Sequence, residues 1–312
     1  MSVLNRPSDG QPNVLLALAR TLWAHDGKAI PKDELLNRVG SDALGDIDKR
    51  ARKTLSCWHA LGLFSETQNG VVSFASKLAA SQKPKTLAWL RVAAREVAFR
   101  QENNAPLWPQ NEGEEKGKAA DLTRGIAWLL AQAHSERLAG YPAAEVLARA
   151  QFGNARAMIQ NSTRWGPLKD WMRFLGFAVG GKVEARSPAQ RTSEDILIPD
   201  PTQAIADVLP LVLSTAAALP VAEFLRRLAE EIPVIDSGAF RVEIENQVVK
   251  SHRPDPNLKL LSPSLSRALK RLEFQHLIRL AMLSDAPETY SLQFGAGGRQ
   301  TFTHLALSGG ML

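Results

Sequence analysis

The sequence predicts a mainly α protein with small β wings, an α+β chain of tandem winged helix-turn-helix modules joined by helical segments. Three observations predict it. Aromatic residues make up 6% of the 312 residues and Tyr occurs only twice, against a β-rich, aromatic-lined fold. Most apolar periodicity is helical. A helix stop followed directly by a short apolar strand also occurs three times. These are Leu61-Gly62-Leu63-Phe64, Leu175-Gly176-Phe177-Ala178 and Gln275-His276-Leu277-Ile278, with stops 114 and 100 residues apart. Each junction needs a residue at positive φ, which suits Gly twice and is tolerated by His.

The elements follow in order. Val14, Leu15, Leu18 and Leu22 mark a helix that stops at Asp26-Gly27. Pro31 fits the first turn of a short second helix carrying Leu35, Leu36 and Val39. Ile47, Ala51, Leu55, Trp58 and Leu61 form the stripe of a third, Asp46 to Leu61. Leu63–Thr67 and Val71–Ala75 flank Gln68-Asn69-Gly70, a hairpin signal. A helix from Lys85 to Arg100 follows, then a polar stretch, Gln101 to Lys118, expected to be an exposed loop. The pattern then recurs as helices at Leu122–Gln132, Ala143–Ala150, Asn154–Ile159 and Pro167–Leu175. Strands at Phe177–Val179 and Glu194–Ile198 flank a long basic tip, Gly180 to Ser193. The third occurrence has helices at Thr202–Leu213 and Val221–Glu231, a hairpin-like insertion at Val234–Val249 around Asp236-Ser237-Gly238, and a helix capped by Ser262-Pro263. Leu277–Leu280 and Tyr290–Phe294 then read as a strand pair, and Thr301–Leu307 as one more strand. The expected domains are residues 1–80, an N-terminal winged-helix domain; 81–199, a helical middle domain ending in a winged-helix unit; and 200–312, a C-terminal winged-helix domain.

Composition narrows the function. A single cysteine, Cys57, excludes a disulfide framework and a Cys-based zinc site. The longest apolar run, Val208 to Val221, is interrupted by Pro210 and Pro220 and is too short to span a bilayer; the polar start, Met1 to Gln11, has no signal core. The expectation is a cytoplasmic protein. No Gly-rich phosphate loop, His-Glu-x-x-His or G-x-S-x-G is present, and the six histidines are too scattered to share a metal on one helix. Asp200, Glu243 and Glu245 resemble nuclease carboxylates, but the position for a charge-stabilising lysine is Glu245. The reading is therefore of no enzyme, no cofactor and no metal.

The net charge of +6 suits a polyphosphate partner. In a winged helix the third helix enters the major groove, so its solvent face must be polar and basic. The first module offers Lys49, Arg50, Arg52, Lys53 and Ser56; the second offers Arg164, Lys169 and Arg173, with Lys182, Arg186 and Arg191 on its hairpin. The third offers Ser264, Ser266, Arg267, Lys270 and Arg271, with Arg279 and Arg299 beyond. Residues 251–283 hold six Lys or Arg against Asp255 and Glu273, which ranks the third module first as the DNA contact. The tryptophans mostly fall on apolar stripes and read as core; Trp108, in the polar stretch, is the exception.

The opening Met1-Ser-Val-Leu-Asn-Arg-Pro-Ser-Asp-Gly-Gln-Pro-Asn-Val, the run Leu197-Ile-Pro-Asp-Pro-Thr and the run Leu261-Ser-Pro-Ser-Leu-Ser-Arg-Ala-Leu resemble the DpdG-type accessory proteins of bacterial islands. Those islands place 7-deazaguanine derivatives in DNA and restrict unmodified DNA. The resemblance implies service in an antiviral-defence or DNA-modification complex beside helicase- and nuclease-like subunits. The expected function is a non-catalytic subunit that contacts double-stranded DNA and is a candidate homodimer. Two alternatives remain: a winged-helix adaptor that scaffolds a partner ATPase, helicase or nuclease and shows an apolar patch on one module, or a stand-alone transcriptional regulator.

Overall fold

In the computed structural model, residues 2–4, 11–26, 28–40, 46–75, 86–109, 117–132, 140–153, 158–159, 161–183, 194–213, 218–249, 258–284 and 288–308 are described. The chain divides into two compact units, residues 1–123 with 160–175, and residues 124–159 with 176–312. Among the described residues no helix is long and apolar enough to cross a membrane.

The first unit begins with α1 (Pro12–Ala24), β1 (Ile30–Pro31), α2 (Lys32–Val39), α3 (Asp46–Leu61), β2 (Phe64–Glu66) and β3 (Val71–Phe74). Its antiparallel sheet has the order β1-β3-β2. The predicted stripes face inward: Leu15, Leu18 and Leu22 of α1, Leu35 and Leu36 of α2, and Ala51, Leu55, Trp58 and Leu61 of α3 are all buried. Pro31, expected inside the second helix, instead ends β1 and precedes α2 with an extended ψ of 136°. A strand edge tolerates it because no ladder partner needs its missing N–H.

The helix α4 (Leu87–Ala98) starts two residues later than its periodicity suggests, because the Thr86 hydroxyl accepts from the Trp89 N–H at 3.2 Å and caps it. The stretch from Gln101 departs from the exposed loop that its composition predicts. It opens with α5 (Gln101–Asn104), and Asn103, Asn104 and Leu107 are buried. Asn103 Nδ2 donates to the carbonyls of Leu61 and Val97 at 2.9 and 2.7 Å, and Asn104 Nδ2 to those of Ala98 and Arg100. Polar residues here satisfy chain and helix ends, which composition alone does not reveal. Trp108 is half-buried.

The second unit contains α7 (Tyr141–Phe152), the antiparallel pair β4 (Ala178–Val183) and β5 (Glu194–Pro199), α9 (Thr202–Val212), β6 (Leu219–Pro220), α10 (Val221–Glu231), α11 (Ala239–Gln247) and α12 (Pro263–Phe274). It closes with β7 (Ile278–Ala281), β8 (Tyr290–Gln293), β9 (Arg299–Phe302) and β10 (His304–Leu307). The expected hairpin at Val234–Val249 is instead a turn leading into α11. Ser237 takes φ 66°, and a Cβ on Gly238 would stand 2.4 Å from the Pro233 carbonyl oxygen, so the turn reverses the chain before a helix. Phe240, Ile244 and Val248 are buried at four-residue spacing. The last strands also pair differently from the expectation. β7 pairs with β10, while β8 pairs with β9 across the Gly295–Gly298 turn. Hairpin closure over so short a turn favours the local pair and leaves β7 for the later strand.

The N- and C-terminal modules repeat one plan. The order β6-β10-β7 matches β1-β3-β2, and Ile30-Pro31 and Leu219-Pro220 occupy the same place. The Lys32 N–H reaches Gly70 O at 2.8 Å, as the Val221 N–H reaches Thr303 O at 2.9 Å. At the helix stops, Leu63 N–H to Trp58 O and Leu277 N–H to Leu272 O are both 2.9 Å, the six-to-one bond of a Schellman ending. Gly62, Gly176 and His276 take φ of 90°, 84° and 56°, the positive values that the three junctions predict.

The middle occurrence does not close on itself. The helix α6 (Ala120–Leu130) crosses the division between the units, α8 (Trp165–Phe174) belongs to the first unit, and β4–β5 belongs to the second. Residues 81–199 are thus shared between the two units. Trp171 of α8 packs on Trp58 of α3 with ring centroids 4.9 Å apart, so α8 is a core helix of the first unit. The expected helix at Asn154–Ile159 falls mostly outside the described residues; Met158 and Ile159 lie in bends.

Candidate nucleic-acid interface

The helix α3 is apolar on one side and cationic along the other. Lys49, Arg52, Ser56, His59 and Ala60 are exposed, and Arg50 and Lys53 are half-buried at the edges. At 100° per residue, Lys49, Arg52, Lys53, Ser56 and Ala60 share one face. Packing fixes the direction of that face, because Ala51, Leu55 and Trp58 hold the opposite side in the core. Arg52 lies 3.7 Å from the exposed Asp33. The hairpin after α3 ends in Thr67, Gln68 and Asn69, all exposed and neutral. Lys32 pairs with Glu66 at its base at 2.9 Å.

On α8, Lys169 and Arg173 are half-buried, and Arg173 faces Asp170 at 3.7 Å. Arg164 is buried and donates to Asp121 at 2.9 Å, with Ser2 on the same carboxylate. It is a structural arginine rather than a surface contact. Lys182 lies on β4 opposite Asp195; its side chain, and Arg186 and Arg191, lie outside the described residues.

The third module corrects the expectation most. Ser264 and Ser266 are 3% and 0% exposed and face the protein interior. Ser264 Oγ donates to Leu130 O at 2.6 Å, and Ser266 Oγ accepts from the Gln293 N–H of β8 at 3.0 Å. The first turn of α12 is therefore covered, partly by β8, which also meets Leu260 and Leu261. Asp236 accepts from both the N–H and the hydroxyl of Ser262 at 2.6 Å. Exposed chemistry begins in the second turn.

There, Arg267 donates to Pro199 O at 3.1 Å, Arg271 pairs with the buried Asp200, and Lys270 pairs with Glu273. Burial pulls the Arg267 guanidinium below its ordinary range; Asp200 opposes this and Arg271 adds to it. Asp200 Oδ1 also accepts from the Thr202 N–H at 2.9 Å, so it starts α9. Glu245 accepts from Arg241 at 2.5 Å. Asp200 and Glu245 are thus each held by an arginine and Glu243 is half-buried, and no group of three or more His, Cys, Asp or Glu residues suited to a metal exists among the described residues. Arg279 and Arg299 are exposed.

Between α12 and the tip of the β8–β9 hairpin lies an open cleft of about 800 Å³, lined by Arg267, Lys270, Arg271, Glu273, Phe274, Phe294 and Gly295. Phe274 is 86% exposed. The sequence signal for this ring was present, since Phe274 falls outside the Leu265, Ala268, Leu269, Leu272 stripe, but a hydrophobic residue at a helix end reads as core.

Among the described residues these features define a helix-rich protein with two small-sheet modules of one plan, each carrying a cationic surface. The chain belongs to the DpdG-like family, whose profile matches residues 1–286. No curated protein and no solved structure matches it.

Proposed function

We propose that this protein is a non-catalytic, DNA-binding subunit of the Dpd DNA-modification system, working with other Dpd proteins. Membership of the DpdG-like family supports the setting. The element order helix-strand-helix-helix-strand-strand, with the first strand at the sheet edge, supports a winged-helix reading of both terminal modules.

The observation that carries the DNA-binding reading is the α3 face, where Lys49, Arg52 and Ser56 are exposed with Lys53 beside them and the neutral hairpin tip adjacent in sequence. A helix with an exposed cationic face of this kind is what a major groove accepts. The first module therefore replaces the third as the duplex contact in this reading, because the leading turn of α12 is covered. Duplex binding measured by fluorescence anisotropy tests the reading. Affinity in the micromolar range or tighter that falls with salt supports it; no binding to duplex at low salt overturns it.

A further inference from the structure

The third module has cations but no open groove-reading helix, and its largest exposed ring stands among those cations. Phe274 closes α12 at 86% exposure, and Phe294 leaves β8 at the hairpin tip across the same cleft. Arg267, Lys270 and Arg271 line the cleft, and Arg299, opposite Gln293 in the hairpin register, is exposed at its end. Two carboxylates, Asp200 and Glu273, neutralise part of this charge and leave it net positive.

We infer that this cleft is a stacking site for unpaired nucleotides, with Phe274 and Phe294 offering faces to bases and the arginines and Lys270 meeting phosphates. Three arguments favour a single strand. Aromatic faces beside a cationic track are what sequence-tolerant strand binding uses, because every base has a π-face. The covered first turn of α12 withholds the helix N-terminus that the element order would otherwise offer to a duplex groove. The cleft lining is mainly apolar and its cations, with Glu273 among them, stand around it, an arrangement that seats a base against a ring and a phosphate at the edge. The inference rests on the DNA-binding reading only in taking nucleic acid as the partner; it concerns a different surface.

The test uses the full chain and two labelled probes, oligo-thymidylate of about 12 nucleotides and a blunt duplex of the same length. The expected result is binding of the oligo-thymidylate that Phe274→Ala weakens about tenfold or more and Phe274→Trp retains, with duplex affinity unchanged in both variants. Phe274 is almost fully exposed, so its replacement leaves the core intact; circular dichroism checks this. Duplex binding without oligo-thymidylate binding overturns this inference and leaves the proposed function standing. Undiminished strand binding by Phe274→Ala also overturns it. So does a variant whose only change is its oligomeric state in light scattering, which assigns the ring to a protein contact.

Discussion

Asp121 and Arg164 form an ion pair at 2.9 Å with side chains 2% and 5% exposed, joining the start of α6 to the turn before α8. Removing one partner strands the other charge in the interior, so Asp121→Ala is expected to cost about 3–5 kcal/mol in urea denaturation. The three helix stops make an opposite pair of tests. Gly176 holds φ 84°, and a Cβ there would stand 2.9 Å from the Ala204 backbone nitrogen, so Gly176→Ala is expected to lower the melting temperature. His276 holds φ 56° at an exposed position. There His276→Gly relieves left-handed strain and is expected to stabilise by up to about 1 kcal/mol in the same assay. The positive φ at all three positions was legible in the sequence, because the junction from helix to strand demands it. The Asp121–Arg164 pair was not, since nothing in either residue's neighbourhood names a partner 43 positions away.

Among the elements, the two faces of α3 were legible. Its stripe at Ala51, Leu55, Trp58 and Leu61 is buried, joined by Thr54 and Cys57, and Lys49, Arg52 and Ser56 are surface. The helix α12 has as clear a stripe but buries a second face, since Ser264 and Ser266 turn inward to Leu130 and Gln293. Serine on a cationic helix reads as solvent-facing, and only the covering hairpin shows otherwise. The helix α11 was misread because Asp236-Ser237-Gly238 is a strong turn signal, and a turn serves a helix pair as well as a hairpin. The Ser262 cap tests how α12 is held. Its hydroxyl accepts from the Leu265 N–H at 3.3 Å and donates to Asp236 at 2.6 Å. Ser262→Ala is expected to cost about 1–2 kcal/mol by thermal or urea unfolding. The same substitution at the exposed Ser56 is expected to leave stability within about 0.5 kcal/mol of wild type.

For the whole molecule, the helical character, the small sheets and the likeness of the two terminal modules were readable from periodicity and turn chemistry. The division of the middle segment was not. Periodicity reports that Trp171 is buried; it does not report that the ring meets Trp58 of α3, which gives α8 to the first unit. The cationic residues sort in the same way. Those of α3 form an open face, Arg164 is internal, and those of α12 border a cleft with two aromatic rings. Part of the charge that composition describes as a single excess of +6 is thus carried, among the described residues, by two surfaces of different chemistry. The most direct test of the account is the salt dependence of duplex affinity for the wild type and for a Lys49→Glu, Lys53→Glu variant. The account predicts a linear fall of log affinity with log salt and a slope shallower by about two in the variant, one for each phosphate contact removed. Equal slopes and equal affinities for the two proteins would contradict it.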